Sequence, residues 1–359
     1  MRKKNVALIF GGKSTEHEIS IKSARNIAAA IDTNQYDLML IGICKSGKWF
    51  LKTNDELQTE SSVLENQRPI SLQPGTQKLR INQDLLGPID VAFPIVHGTN
   101  GEDGSLQGLL KIMDIPFVGP SVTSSALCID KEVAKRLMNE AGIPNAPFLS
   151  YLRAERSQIT FEKVVSKVGL PMYIKPPNLG SSVGISKVTS KKEFDTAIDY
   201  AFQYDQKVLI EQNINGREIE CAILGNTIPK ASPTGEVVTL GEEHKFYSYE
   251  AKYIDEAGSK TVIPADLTTE MQTKIQSIAL KTYKTLCCEG MARVDVFVTN
   301  DQKIWVNEVN TLPGFTDISM YPKLWETAGI QYSELISTLI SLALERANEE
   351  AQNQTYIES

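Results

Sequence analysis

A chain of 359 residues, 42% hydrophobic and 23% charged, has the composition expected of a soluble globular protein, and at roughly 150 residues per domain it accommodates two or three cores. Its 37 Lys and Arg against 44 Asp and Glu give a formal charge of −7, which supplies no general attraction to a phosphate backbone and argues against a nucleic-acid partner. No apolar run reaches the ~18 residues of a membrane span, and the five cysteines and three histidines form neither a CxxC pair nor an HExxH motif, so the cytoplasm is the expected compartment.

Residues 6–10 are continuously apolar, as in a strand covered on both faces. Thr15 and Glu18 have capping-box spacing for a helix running to about Ile31. Residues 38–44 and 89–96 are two further strands, and the polar, irregular residues 53–80 lie between units. Strand–helix alternation with glycine turns predicts a parallel α/β domain over residues 1–128.

A second unit opens at Asp130, where Val133, Ala134, Leu137, Met138 and Ala141 recur at helical spacing before Gly142 and Pro144 end the helix. Residues 171–176 and 183–188 read as strands joined by a Gly/Ser loop, 192–202 as a helix and 207–211 as a buried strand. Further strands fall at 218–224, 292–298 and 305–309, with a helix over 268–286 and a closing amphipathic helix over 333–346.

Two stretches imitate a phosphate-binding P-loop. Gly12-Lys13-Ser14 lacks the upstream glycine, and after Lys48 stands Trp49 where Ser or Thr must hold magnesium. No GxGxxG follows the first strand, so a dinucleotide fold is unsupported.

The strongest chemical pattern is Arg293-Val-Asp295 on one strand and Glu308-Val-Asn310 on another. Alternate strand residues share a face, and two carboxylates with an amide oxygen make a hard ligand set for Mg²⁺ or Mn²⁺. Gly180-Ser181-Ser182-Val183-Gly184 offers backbone N–H groups and two hydroxyls to a phosphate. Lys175 sits in an apolar strand, Lys131 in the first turn of a helix, and Lys252 in the aromatic stretch from Phe246 to Tyr253. Ammoniums so placed need an anion, and together these features point to a nucleoside triphosphate.

Two polar clusters, residues 11–18 and 97–104, follow strands at the edge where α/β sheets bind ligands. Glu16 and His97 are the candidates there for a small polar substrate. Glu18 and Asp103 read as solvated charges, His17 and His244 as surface residues, and Cys287 and Cys288 as thiols in or near the core.

The stretches GGKSTEHEIS (11–20), HGTNGEDGSLQG (97–108), the helix from Asp130, KPPNLGSSVGISK (175–187), LIEQ (209–212), YEAKY (249–253), RVDVF (293–297) and NEVNTLPGFT (307–316) resemble, in order and spacing, the D-alanine–D-alanine ligases of the ATP-grasp superfamily. The resemblance implies α/β architecture in three domains, an N-terminal one (1–128) and two that clasp ATP (129–212 and 213–359). It implies ATP-dependent joining of two D-alanines through an acyl phosphate, for peptidoglycan, by a homodimer.

By matching position, Asp295, Glu308 and Asn310 would carry two Mg²⁺ or Mn²⁺ ions. Lys131, Lys175 and Lys252 would neutralise phosphate charge under a loop holding Ser181 and Ser182. Glu211 and the Gln212 backbone would meet adenine and Glu218 the ribose, with Phe246 and Asn307 also in the nucleotide site. Glu16 would bind the ammonium of the first D-alanine, with His97 nearby, and would join Ser181 and Tyr253 in closing the loop. Arg293 and the Gly314 backbone would stabilise the oxyanion, and the Ser319 and Met320 backbone would hold the second carboxylate. The general base is not evident. Relatives forming D-alanyl-D-lactate carry His where Tyr253 stands, so YEAKY favours the dipeptide; a D-lactate or D-serine ligase and a non-catalytic nucleotide-binding module are the alternatives.

Overall fold

The computed structural model describes residues 2–180, 183–239 and 259–354, and the strands among them form four sheets. Strand β1 (Lys4–Gly11) runs parallel to β2 (Tyr36–Ile43) and to β7 (Val91–Pro94), with β3 (Trp49–Lys52) antiparallel at the edge. Leu8 stands opposite both Leu40 and Phe93, so the apolar run 6–10 is the centre of the sheet. Helix α1 (His17–Ala30) crosses one face, and its Ser20 hydroxyl ties the ends of two strands, donating to Ile95 O and accepting from Gly11 N.

The capping box expected of Thr15 and Glu18 does not form: Glu16 occupies the N-cap without a side-chain cap bond, and Glu18 instead pairs with Lys45 at 2.5 Å. His17 is also misread as a surface residue. It is fully buried, with Nδ1 2.7 Å from Gly12 O and Nε2 accepting from Val63 N at 3.0 Å.

Residues 53–80 are more ordered than their polarity suggests. Helix α2 (Asn54–Thr59) has a complete Thr53/Glu56 capping box. Strands β4 (Ile70–Leu72), β5 (Leu79–Ile81) and β6 (Asp84–Leu86) form an antiparallel meander. Three-residue strands carry too little alternation to be read from sequence, yet Leu79 is buried with Ile9, Ile41 and Met113 beneath the sheet. Helix α3 (Ser105–Ile112) closes this face.

Helices α4 (Val122–Ile129) and α5 (Lys131–Glu140) meet at Asp130, whose carboxylate accepts from Glu132 N and Val133 N and so caps α5. The next sheet is antiparallel in the order β10-β9-β11-β8: β8 (Phe148–Leu152), β9 (Met172–Lys175), β10 (Ser186–Val188) and β11 (Lys207–Gln212). Helices α6 (Phe161–Val168) and α7 (Lys191–Ala201) bury Val164, Phe194 and Ile198 against it.

The third sheet, also antiparallel, runs β14-β13-β12-β15-β16, from β12 (Gly216–Leu224), β13 (Lys230–Thr239), β14 (Ser259–Val262), β15 (Met291–Thr299) and β16 (Ile304–Asn310). Helix α8 (Thr269–Thr285) covers one face with help from α4 and α5. Cys288 is buried there, 3.6 Å from Cys128, whereas Cys287, expected near the core, is exposed with φ +55°. Helices α9 (Met320–Thr327) and α10 (Tyr332–Glu350) lie on the opposite face and share a core with α1 and β7. The last helix thus covers the first sheet. Arg346 near its end donates to Phe117 O and Gly119 O and stacks 4.6 Å from the Phe117 ring.

Candidate active site

The third sheet supplies the densest charge. Register places Glu220 opposite Asp295 and Asp295 opposite Glu308, with Arg293 opposite Asn310. Asp295 pairs with Glu308 but Val296 with Val306, so Asn307 is an extra residue in β16. The Arg293 guanidinium grips Asp295 through Nε and Nη2 at 2.7 and 2.8 Å and lies 2.9 Å from Glu220. Asn310 Nδ2 donates to the same carboxylate at 2.8 Å. Asp295 is only 1% exposed, so these partners stabilise a charge that water cannot.

Glu218, Glu220 and Asp295 each present an oxygen within 4.8 Å of the others. Glu308 lies 3.5 Å from Lys131. Four carboxylates thus face two cations, Arg293 and Lys131, and an all-oxygen set with surplus negative charge suits a hard divalent ion. Glu220 was not singled out in the sequence. Its signal was there: Glu218-Ile-Glu220 on one strand puts both carboxylates on one face.

A second cluster joins β9 and β11 of the second sheet to α5. Glu211 receives Lys135 at 2.7 Å and Lys175 at 2.5 Å. Burial alone would raise the Glu211 carboxyl, but the two ammoniums override it and hold the group down at about 2. Burial pushes the Lys135 ammonium the other way, below its usual value. Lys135 was missed because a lysine four residues after Lys131 on an amphipathic helix reads as solvated, yet it is 1% exposed. Gln212 is exposed, its N–H donating to Pro147 O. Lys131 donates to Leu179 O at 3.0 Å, just ahead of the Gly/Ser loop.

The first sheet contributes Glu16, His97 and Glu102 from loops after β1 and β7. Glu16 sits against two glycines: a Cβ on Gly98 (φ +73°) would lie 2.9 Å from its Oε2, and one on Gly180 3.3 Å. Glu102 accepts from Gly98 N at 2.7 Å. Burial, reinforced by the neighbouring Glu16 charge, pushes its carboxyl up to about 8. Asp103, read as a solvated charge, is a turn residue accepting from Asn100 N and Ser105 N.

His97 is buried, and burial lowers its pKa. The third sheet's loop 311–316 comes to meet it, with Leu312 O 3.0 Å from Nδ1. Gly314 packs so tightly on Ser319 that a Cβ would lie 2.7 Å from its Oγ. Ser319 caps α9 and Met320 opens it; the Ser319 N–H, expected to hold a carboxylate, already donates to Thr316 O at 3.0 Å, which leaves the Met320 N–H as the donor that suits an anion.

One cavity of about 640 Å³ joins these parts. Glu16, His97 and Glu102 line it from the first sheet and Lys131 and Gly180 from the centre. Arg293, Glu308, Asn310, Gly314, Ser319 and Met320 line it from the third sheet. Asp295, Lys175, Glu211, Gln212, Glu218 and Asn307 stand outside this wall. Ser181, Ser182, Phe246, Lys252 and Tyr253, as well as His244, lie outside the described residues.

The two halves of this arrangement match two family profiles, the D-ala D-ala ligase N-terminus over residues 5–120 and the D-ala D-ala ligase C-terminus over 137–341. The chain is 52% identical over 362 aligned positions to the D-alanine–D-alanine ligase of Shouchella clausii (strain KSM-K16), covering 98% of each. Among solved structures it resembles the D-alanine-D-alanine ligase from Coxiella burnetii, at TM-score 0.86 and 37% identity over 98% of this chain and 97% of that one. The VanG D-Ala:D-Ser ligase from Enterococcus faecalis aligns at TM-score 0.85 and 35% identity, over 95% of this chain and 100% of that one. With both profiles in chain order and relatives of this similarity along its whole length, the chain belongs to the D-alanine–D-alanine ligase family.

Proposed function

We propose that the 640 Å³ cavity is where ATP drives the joining of two D-alanines into D-alanyl-D-alanine. The protein is an ATP-dependent ligase of peptidoglycan precursor synthesis. The observation that carries the site assignment is the meeting of Glu16 with Arg293, Glu308 and the α9 N-terminus around one space. An amino acid's ammonium, an acyl phosphate and a second carboxylate each find the opposite charge there.

The carboxylate of the first D-alanine attacks the γ-phosphorus of ATP, giving an acyl phosphate and ADP. Glu16 holds that substrate's ammonium. The second D-alanine, its carboxylate on the Met320 N–H at the start of α9, attacks the acyl carbonyl through its deprotonated amine, and phosphate leaves the tetrahedral adduct. Arg293, its plane fixed by Asp295 and Glu220, and the Gly314 N–H stabilise the oxyanion. Lys131 and Lys175 take phosphate charge, joined by Lys252, Ser181 and Ser182, which lie outside the described residues. Glu211 and the Gln212 backbone, with Phe246 and Asn307, meet the base and Glu218 the ribose. Tyr253 joins Glu16 and Ser181 in closure.

Asp295, Glu308 and Asn310, with Glu220 adjacent, would hold Mg²⁺ or Mn²⁺, two ions in full, which would supply charge neutralisation to the phosphates when bound. The acting form is a homodimer in the cytoplasm; among the described residues no helix is long and apolar enough to cross a membrane.

The test is D-alanine-dependent phosphate release with the product identified by mass spectrometry, D-serine and D-lactate present as rival acceptors. D-alanyl-D-alanine stoichiometric with phosphate supports the reading. A D-serine product would transfer the chain to the acceptor class named for the Enterococcus structure, and ATP binding without turnover would leave only a nucleotide-binding module.

A further inference from the structure

Both ring nitrogens of His97 are engaged by the protein itself. Nδ1 lies 3.0 Å from Leu312 O, and a carbonyl only accepts, so Nδ1 carries the proton. Nε2 is then the acceptor, 3.3 Å from the Ser23 hydroxyl. The Ser23 oxygen in turn accepts from Phe315 N at 3.2 Å. The chain Leu312 O, His97, Ser23, Phe315 N has one consistent direction of donation. Its two ends are the residues that bracket Pro313 and Gly314.

We infer that His97 and Ser23 are positioning residues, which clamp the loop 312–315 of the third sheet to the first and so aim the Gly314 N–H at the reacting carbonyl. This rests on the ligase reading of the cavity. His97 then contributes to turnover without holding D-alanine, since a substrate contact through either nitrogen would break the chain. Ser23 is 0% exposed and cannot touch substrate at all. That makes it the clean probe. An oxyanion donor displaced by a fraction of an ångström loses transition-state stabilisation and leaves ground-state binding intact.

The test compares the full-length protein with Ser23→Ala, Ser23→Cys, His97→Asn and the Ser23→Ala/His97→Asn double variant. Steady-state phosphate release yields kcat and the D-alanine KM values, and hydrogen–deuterium exchange followed by mass spectrometry reads the peptide covering 311–316 without substrate. The clamp predicts about five- to tenfold faster exchange in that peptide for Ser23→Ala, with strand 291–299 unchanged. It predicts kcat lower by roughly ten- to a hundredfold with KM for D-alanine within about twofold. The double variant should be no worse than the weaker single one, because one chain is broken either way. Ser23→Cys, of the same shape but a weaker donor and acceptor, should fall between and covers the case in which alanine does not fold.

Unchanged exchange at 311–316 would overturn the clamp. So would a His97→Asn variant that raises the D-alanine KM while Ser23→Ala leaves both constants alone, or effects that multiply in the double variant. Wild-type protein without D-alanine-dependent phosphate release would sink the ligase reading instead, and the exchange experiment would still decide the clamp.

Discussion

Single residues here are governed by what balances their charge. Glu211 is ionised down to about pH 2 because Lys135 and Lys175 outweigh its burial. Its folded value lies below the ordinary carboxylate value, so its contribution to stability is present above about pH 4.5 and fades as pH falls toward 2. Lys135→Met should remove one of the two ammoniums and narrow that window, while destabilising the fold by about 3–5 kcal/mol because a buried carboxylate loses a partner; urea midpoints from pH 3 to 7 measure both. Glu102 has the opposite sign. Its carboxyl is raised to about 8, so the folded state holds the proton more tightly, and that stabilisation is lost as pH rises from about 4.5 through 8. Glu102→Gln should therefore flatten the fall in thermal midpoint across that interval. Glu308→Gln should leave the fold intact and cut phosphate release at least about a hundredfold, and a variant keeping most of its activity would remove Glu308 from the proposed metal ligands. The sequence offered Asp295, Glu308 and Asn310 as candidates because polar and charged groups in an apolar strand are costly. Lys135 was not legible, since its buried state depends on what the fold brings beside it, whereas Glu220 was legible only through its alternation with Glu218.

At the scale of elements, termini do much of the positioning. Asp130 closes α4 and caps α5, and its other oxygen binds Lys207 at 2.6 Å. That junction places Lys131 at the first position of α5, facing the cavity. Asp130→Ala should lower stability by about 1–2 kcal/mol, read from denaturant midpoints, and weaken ATP binding through Lys131. Gly98→Ala would force a Cβ to 2.9 Å from Glu16 Oε2 at positive φ, so the KM for the first D-alanine should rise at least about tenfold while ATP binding is unchanged. Long elements were readable from periodicity: β1, β12, β15 and α8 fall within a few residues of where the pattern puts them. The short meander β4–β6 and helix α4 were not, because three or eight residues give the pattern too few repeats. The Thr15/Glu18 capping box failed for a related reason. Its spacing was right, but Glu18 found Lys45, which is distant in sequence.

At the scale of the molecule, the cavity exists only where three sheets approach, so its residues come from Glu16 at one end of the chain to Lys323 near the other. No local pattern could show that His97 meets Leu312 across 215 positions; the order of motifs conveyed the family, and packing supplies the contacts. The same holds for α10, whose Leu335, Ile336, Leu339 and Ile340 are buried with Val6, Leu8 and Phe93 of the first sheet. Ile340→Ala should cost about 2–5 kcal/mol, measured by thermal or chemical unfolding.

This closure of the first sheet by the last helix bears on how the protein is made. A ribosome adding about 5–20 residues each second releases β1 long before α10 exists, and for tens of seconds one face of the nascent sheet has α1 as its only early cover. The first sheet completes its packing only when the end of the chain is made, and a premature stop codon that removes only α10 would strip part of the cover from Val6, Leu8 and Phe93.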